Sequence, residues 1–181
     1  MGIDLNQIAA RSEPFRSQVC IIGAGIAGLT LAHRLGRKGI DVALLEAGGQ
    51  TLETRSQAIF AQARNIGAPH LGLHEGRYRT LGGSSITWGA QVLPMADSSW
   101  PIPTESLSPF YSEAQQLLGL NDLPFETVPF AAATHTPLTP EINGIETRFS
   151  KWAPFSHRNF ANTLARTLPA SVTLYLHADV T

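Results

Sequence analysis

Gly23, Gly25 and Gly28 stand in the spacing G-x-G-x-x-G, and an acid, Glu46, follows 18 residues after the last of them. These residue types at this spacing suit one kind of chemistry. The first glycine permits a tight turn, the second lets the backbone approach a pyrophosphate, and the third lets a helix pack closely on a strand. The start of that helix would point unpaired N–H groups and a partial positive charge at the phosphates. A carboxylate at Glu46 can accept both ribose hydroxyls of an adenosine, and it would repel a 2′-phosphate, which argues against NADP. The plain alternative is a tight strand-to-helix turn with no ligand. Flanking strands and a correctly spaced acid favour dinucleotide binding over it, but do not separate FAD from NAD.

A second stretch, "YRTLGGSSITWGAQVLPM" (78–95), is too broken for a helix and too rich in small residues for a core strand. Gly82 and Gly83 remove the Cβ barrier to close backbone approach. Ser84 and Ser85 offer hydroxyl groups, and the flat ring of Trp88 suits a flat partner. Ser84 and Ser85 lack a G-x-S-x-G elbow, which disfavours a hydrolase nucleophile.

The elements around these residues are legible from periodicity. Val19 to Ile22 is a continuous apolar run, too short for a helix and typical of a strand buried on both faces. Ile26, Leu29, Ala32 and Leu35 then form one helical stripe that Lys38-Gly39 ends, and "IDVALLE" (40–46) returns as a second buried strand. This βαβ start implies parallel strands and a right-handed crossover, hence an α/β, Rossmann-like fold. Residues 1–17 read as a polar lead-in with one helical turn, 18–120 as the dinucleotide-binding region, and 121–150 as a connection or the start of a substrate region. Residues 151–181 read as a helix and strand returning to the first domain. Within these, the spacing predicts helix over 52–64, a Gly, Pro and His loop over 65–77, and a main helix started by Ser108-Pro109 and stopped by Gly119. Asn159 is placed to cap a helix bearing Phe160, Leu164 and Leu168, and "VTLYLHADV" (172–180) alternates like a strand.

Composition narrows the partners. With 43% hydrophobic residues, 15% charged and a formal charge of -1, the 181 residues carry no basic excess to hold a nucleic-acid backbone or an acidic membrane. No apolar run reaches membrane-spanning length, and the start has no apolar signal region. A soluble, cytoplasmic protein is expected. Cys20, the single cysteine, excludes an intrachain disulfide and reads as inert core. His70 and His74 lie in a loop with no carboxylate or cysteine at ligand spacing, so no metal site is expected. Glu13, Glu53 and Glu105 show no pairing that suggests acid/base work, and His177 reads as a plain strand residue.

The Rossmann start, followed by "R-x-x-G-G-S-S-x-x-W-G" and then "WPIPTESLSPFYSEAQQLLGL", resembles the glucose-methanol-choline (GMC) family of FAD-dependent oxidoreductases. The likeness covers most of 19–120 and resumes over 159–180, where "HADV" resembles that family's strand beside the adenine. It implies FAD, with the segment Leu81 to Gly89 along the pyrophosphate and isoalloxazine edge. Gly82, Gly83, Ser84, Ser85 and Trp88 become flavin-loop residues, Arg79 adds a phosphate contact, and Val180 meets adenine through its backbone. Where some sugar-oxidising relatives carry a histidine bonded covalently to the flavin, this chain has Thr87, which implies non-covalent FAD. The implied activity is hydride transfer from an alcohol, sugar or polyol to FAD. The family's catalytic histidine lies near the C-terminus of much longer chains, so no catalytic residue is assigned here. The expectation is an incomplete fold that is inactive alone and completed by a C-terminal half or a second chain. The alternatives are a non-catalytic nucleotide-binding fragment or subunit and, on weaker grounds, an NAD-dependent dehydrogenase.

Overall fold

The computed structural model describes residues 2–8, 14–70, 72, 74–137 and 148–181. Its centre is a four-stranded, wholly parallel sheet built from β1 (Ile3–Asp4), β2 (Val19–Ile22), β3 (Val42–Glu46) and β6 (Val172–Leu176), in the order β1-β6-β3-β2. Helix α1 (Ile26–Arg37) crosses from β2 to β3 as the βαβ reading requires. It ends at Lys38 and Gly39, whose N–H groups return to the last turn while Gly39 takes a φ of +77°.

Register explains how the core is built. Ile21 pairs with Leu44 and Leu44 with Leu174, so in a parallel ladder these three share a face. Leu29 and Ala32 of α1 are buried, and Gly36 sits where a Cβ would press into Val172 and Pro169. Cys20, Ala43 and Thr173 form the next row and point the other way, as do Ile22, Leu45 and Tyr175.

Two expectations for this region are corrected. The strand β2 is not buried on both faces: Ile21 is buried, whereas Cys20 is exposed and Ile22 is 67% exposed. The reason is position, because β2 is the last strand in the sheet order and α1 covers one face only. Cys20 is therefore not an inert core residue; it lines an open groove of about 530 Å³ with Leu5, Phe15, Ala43, Leu45 and Tyr175. The polar lead-in also contributes more than a turn. Ile3–Asp4 pairs with β6, and the turn itself is the 3-10 segment Leu5–Gln7, capped by the Asp4 carboxylate.

The chain forms two compact units, 1–88 with 159–181, and 89–158. The expected boundaries at 120 and 150 differ from these. In the first unit the predicted helix over 52–64 is shorter, α2 (Thr54–Gln57) followed by 3-10 turns over Ala58–Gln62. Asn159 does accept a bond from the Ala161 N–H, yet the segment continues as turns and a 3-10 stretch, Leu164–Thr167, rather than an α-helix. Phe160 is nonetheless 1% exposed.

The second unit has a two-stranded antiparallel ladder of β4 (Gln91–Val92) and β5 (Lys151–Trp152), with helices α3 (Ser108–Leu117), α4 (Thr127–Thr134) and α5 (Phe155–Arg158). The helix starting at Ser108-Pro109 and the stop at Gly119, φ +63°, follow the sequence reading. The side chain of Lys151 is enclosed: its Nζ donates to Gln115 Oε1 (2.6 Å) and to the carbonyls of Asn121 (3.0 Å) and Leu123, and lies 4.2 Å from the centre of the Phe125 ring. Burial holds its pKa below the usual lysine value. No described helix is long and apolar enough to cross a membrane.

Candidate cofactor site

Strand β2 runs into a turn at Gly23, where the φ of +94° reverses the chain, and the Gly23 N–H donates to the Leu45 carbonyl at 2.7 Å. Two residues on, Gly25 is the N-cap of α1. No side chain caps the helix, and a Cβ on Gly25 would meet nothing within 4 Å. The first N–H groups of a helix have no intrahelical acceptor, so this open edge is a place for an anion. Gly28 is different. A Cβ there would overlap the Gly23 carbonyl and touch Ile21, so this glycine lets α1 lie against β2.

Glu46 ends β3 with 5% exposure. Its Oε2 accepts from the Ala24 N–H and its Oε1 from the Gly48 N–H, both at 2.9 Å. The carboxylate thus ties the glycine turn to the loop leaving β3. A carboxylate has about four lone-pair sites, and with two used it retains acceptors for ribose hydroxyls.

The glycine-serine loop is folded onto this turn. Thr80 pairs with Gly49 as an isolated parallel bridge, and the Gly49 carbonyl accepts from the Leu81 N–H (3.0 Å) and from Thr80 Oγ1 (3.2 Å). Gly82 donates its N–H to the Ala24 carbonyl at 2.9 Å, inside the glycine turn itself. Its φ of +89°, together with Ala161 N lying 3.0 Å from where a Cβ would stand, leaves room only for glycine. Gly83 faces Gly25, its would-be Cβ 3.2 Å from the Gly25 Cα. The loop then turns through a 3-10 segment, Gly83–Ile86, in which the buried Ser85 Oγ donates to the Gly82 carbonyl (2.6 Å) and accepts from the Phe160 N–H (3.1 Å).

Of the residues singled out in the sequence, Gly23, Gly25, Gly28, Glu46, Gly82, Gly83 and Ser85 are thus drawn together. Ser84 faces outward and bonds the Gly76 carbonyl, Trp88 is half-buried with its backbone N–H on the Ser84 carbonyl, and Thr87 is exposed. The Arg79 guanidinium is ion-paired with the Asp179 carboxylate, while its Nε is buried and has no partner among the described residues. Val180 is 55% exposed, two residues past Ala178, whose N–H donates to the Glu46 carbonyl.

Sequence reasoning missed Gly48 and Gly49, although a double glycine directly after a strand is itself a signal of close backbone approach. A Cβ on Gly48 would overlap the Arg79 carbonyl. It also missed the pairing of Glu53, which bonds His177, and the anchoring of Arg79 by Gln57, whose side chain bonds both its N–H and its carbonyl. Neither has a local signature, since the partners are far apart in sequence.

A parallel α/β sheet, a glycine turn opening an uncapped helix and an acid at the end of the next strand define a dinucleotide-binding protein of the Rossmann type. The model of the FAD dependent oxidoreductase family matches residues 18–180. The chain belongs to that family, and its cofactor is FAD. No curated protein matches the chain. The residues present fit the group, because a Cβ-free edge lies open at Gly25 beside a helix start and the Glu46 carboxylate keeps unused acceptors.

Proposed function

We propose that this chain is the FAD-binding portion of an oxidoreductase of the GMC type that takes hydride from a CH–OH donor, an alcohol, sugar or polyol, and holds its flavin non-covalently. The observation that carries the reading is the seating of the Gly82-Gly83 backbone on the turn at Ala24 and Gly25. This close approach supports a loop whose amides reach flavin and phosphate oxygens with no side chain between. Bound FAD would supply the hydride acceptor for the alcohol carbon. The work of this chain is to bind and orient: Gly23, Gly25 and the start of α1 would hold the pyrophosphate, Glu46 the ribose, the 82–85 loop the flavin edge, and Val180 the adenine. Arg79, its guanidinium paired with Asp179, would add a phosphate contact. Thr87, exposed on the loop, offers no nitrogen for a covalent link. The composition supports a cytoplasmic protein whose partner is a small molecule rather than nucleic acid or membrane.

A second reading, a nucleotide-binding module without turnover of its own, is favoured by one observation. Two of the described histidines are engaged elsewhere, His177 with Asp4 and Glu53, and His74 with the Phe60 carbonyl. A general base must come within hydrogen-bond reach of the substrate hydroxyl.

The test is direct. Purified chain should show a flavin absorbance spectrum and release the flavin on acid precipitation. Gly25→Val should abolish FAD binding with the far-UV spectrum unchanged, because the added side chain enters open space in the apoprotein and blocks only the pyrophosphate. Glu46→Ala should weaken FAD by about 1.5–3 kcal/mol, the range of charged hydrogen bonds. Retention of NAD in place of flavin, or FAD affinity unaltered in Gly25→Val, would sink the proposal. Dye-linked reduction with a panel of alcohols, at background for the chain alone, then decides between the two readings when a C-terminal half is supplied in cis or by coexpression: turnover supports the oxidoreductase portion, and continued background the module.

A further inference from the structure

At the exit of β6 the chain leaves the extended region. His177 takes a φ of +53°, rare for a residue with a side chain, and its ring is placed between two carboxylates. Nδ1 lies 2.7 Å from Asp4 Oδ1, at the end of β1, and Nε2 lies 2.9 Å from Glu53 Oε2, just before α2. The side chains are 16% exposed for His177, 22% for Asp4 and 38% for Glu53. The other acids nearby are otherwise engaged: Glu46 on the Ala24 and Gly48 N–H groups, Asp179 on Arg79.

Ionised carboxylates only accept hydrogen bonds, so both contacts are made together only when both ring nitrogens carry hydrogen. The neutral ring has one donor, and its other nitrogen would set a lone pair against a carboxylate. The two carboxylates accordingly hold the His177 pKa above its ordinary 6.5, Glu53 contributing most. Asp4 and Glu53 are each pushed down, chiefly by their bond to His177.

The clasp is connected to the cofactor site by a short path. His177 donates its backbone N–H to the Gly48 carbonyl, and a Cβ on Gly49 would touch both Glu53 and the His177 ring. Gly48 binds Glu46, and Gly49 accepts the N–H of Leu81 and the hydroxyl of Thr80 at the head of the flavin loop. Residues 48–53 are therefore pinned at one end by Glu46 and at the other by His177.

We propose that His177, as an imidazolium between Asp4 and Glu53, is a positioning residue for the FAD site, and that loss of its proton loosens the 48–53 loop and weakens cofactor binding. The proposal rests on the reading of the site as an FAD site. Deprotonation forfeits one of two charge-assisted bonds, and part of the order it imposed must then be supplied on binding. The sign follows from the shifts. The contribution of His177 is complete below about 6.5 and lost as pH rises through its higher folded pKa; that of the carboxylates is lost as pH falls through their lowered values.

The experiment follows two quantities across pH 5.5 to 9.5 in the full chain: ring protonation by NMR of isotope-labelled histidine, assigned with His177→Asn, and FAD affinity by quenching of flavin fluorescence. Asparagine tolerates positive φ, so this variant keeps the backbone. The wild type should lose about threefold to tenfold in affinity along the His177 titration, the scale of roughly one hydrogen bond. His177→Asn should bind with the weaker affinity at every pH. Glu53→Gln should move the ring titration and the affinity midpoint together toward lower pH, a shift that a merely structural residue would not produce. FAD affinity that ignores the His177 titration, or a ring that titrates at or below the ordinary value, overturns the clasp alone. Absence of FAD binding by the wild type at every pH overturns the cofactor reading and the proposal with it.

Discussion

The two faces of the parallel sheet carry similar side chains and meet different surroundings. On the α1 side, Leu44 and Val42 are fully buried, Ile21 and Leu174 nearly so, and Gly28 and Gly36 let the helix lie close against the strands. On the opposite side, Ala43 and Tyr175 are buried, yet Cys20 and Ile22 of the last strand are exposed and an open groove runs over Leu45. Both faces are mainly apolar, so hydrophobicity does not separate them. Coverage does. A continuous apolar run states that a strand tolerates burial on both faces; which face is covered depends on elements that are remote in sequence.

Substitutions on the two faces should therefore differ steeply. The largest effect is expected at Gly28→Val, where the new side chain has to displace the Gly23 carbonyl, at a cost on the order of 4–5 kcal/mol, enough to prevent cooperative unfolding from being seen by thermal melting. Leu44→Ala opens a cavity beneath α1 and should cost about 3 kcal/mol in urea titration. Across the sheet, Ile22→Ser should change stability by no more than about 0.5 kcal/mol, because the residue is already 67% exposed. A loss at Ile22 equal to that at Leu44 would erase the contrast between the faces and require that the open face be covered in solution.

The same contrast marks how much was legible beforehand. The elements β2, α1 and β3 follow from local periodicity, and the glycine turn with Glu46 follows from spacing, since a tight turn, a close helix approach and an acid at a strand end are set by residues near one another. The seating of Gly82 on Ala24 was not legible as a contact, although the composition of the loop announced that backbone would approach something closely. Asp4, Glu53 and His177 carried no signal at all. They come from three separate segments, and only the register of β1 on β6 and the positive φ of His177 bring them together. Cys20 was misread for the reason already given, its strand having one uncovered face. Residues 138–147, within the segment read as a connection, lie outside the described residues.

The sequence has two lysines, and the structure puts them in opposite situations. Lys38 closes α1 and is exposed, whereas Lys151 is 7% exposed, surrounded by two carbonyls, a glutamine oxygen and the Phe125 ring. An amine-reactive label therefore meets one available side chain and one withheld, in different units of the molecule. Modification at Lys38 records the dose of reagent, and modification at Lys151 records how often residues 89–158 open. Burial holds the Lys151 pKa below its ordinary value only while the unit is closed, so an opened Lys151 reacts as an ordinary lysine does and the ratio of the two labels becomes a clock for the motion of that unit.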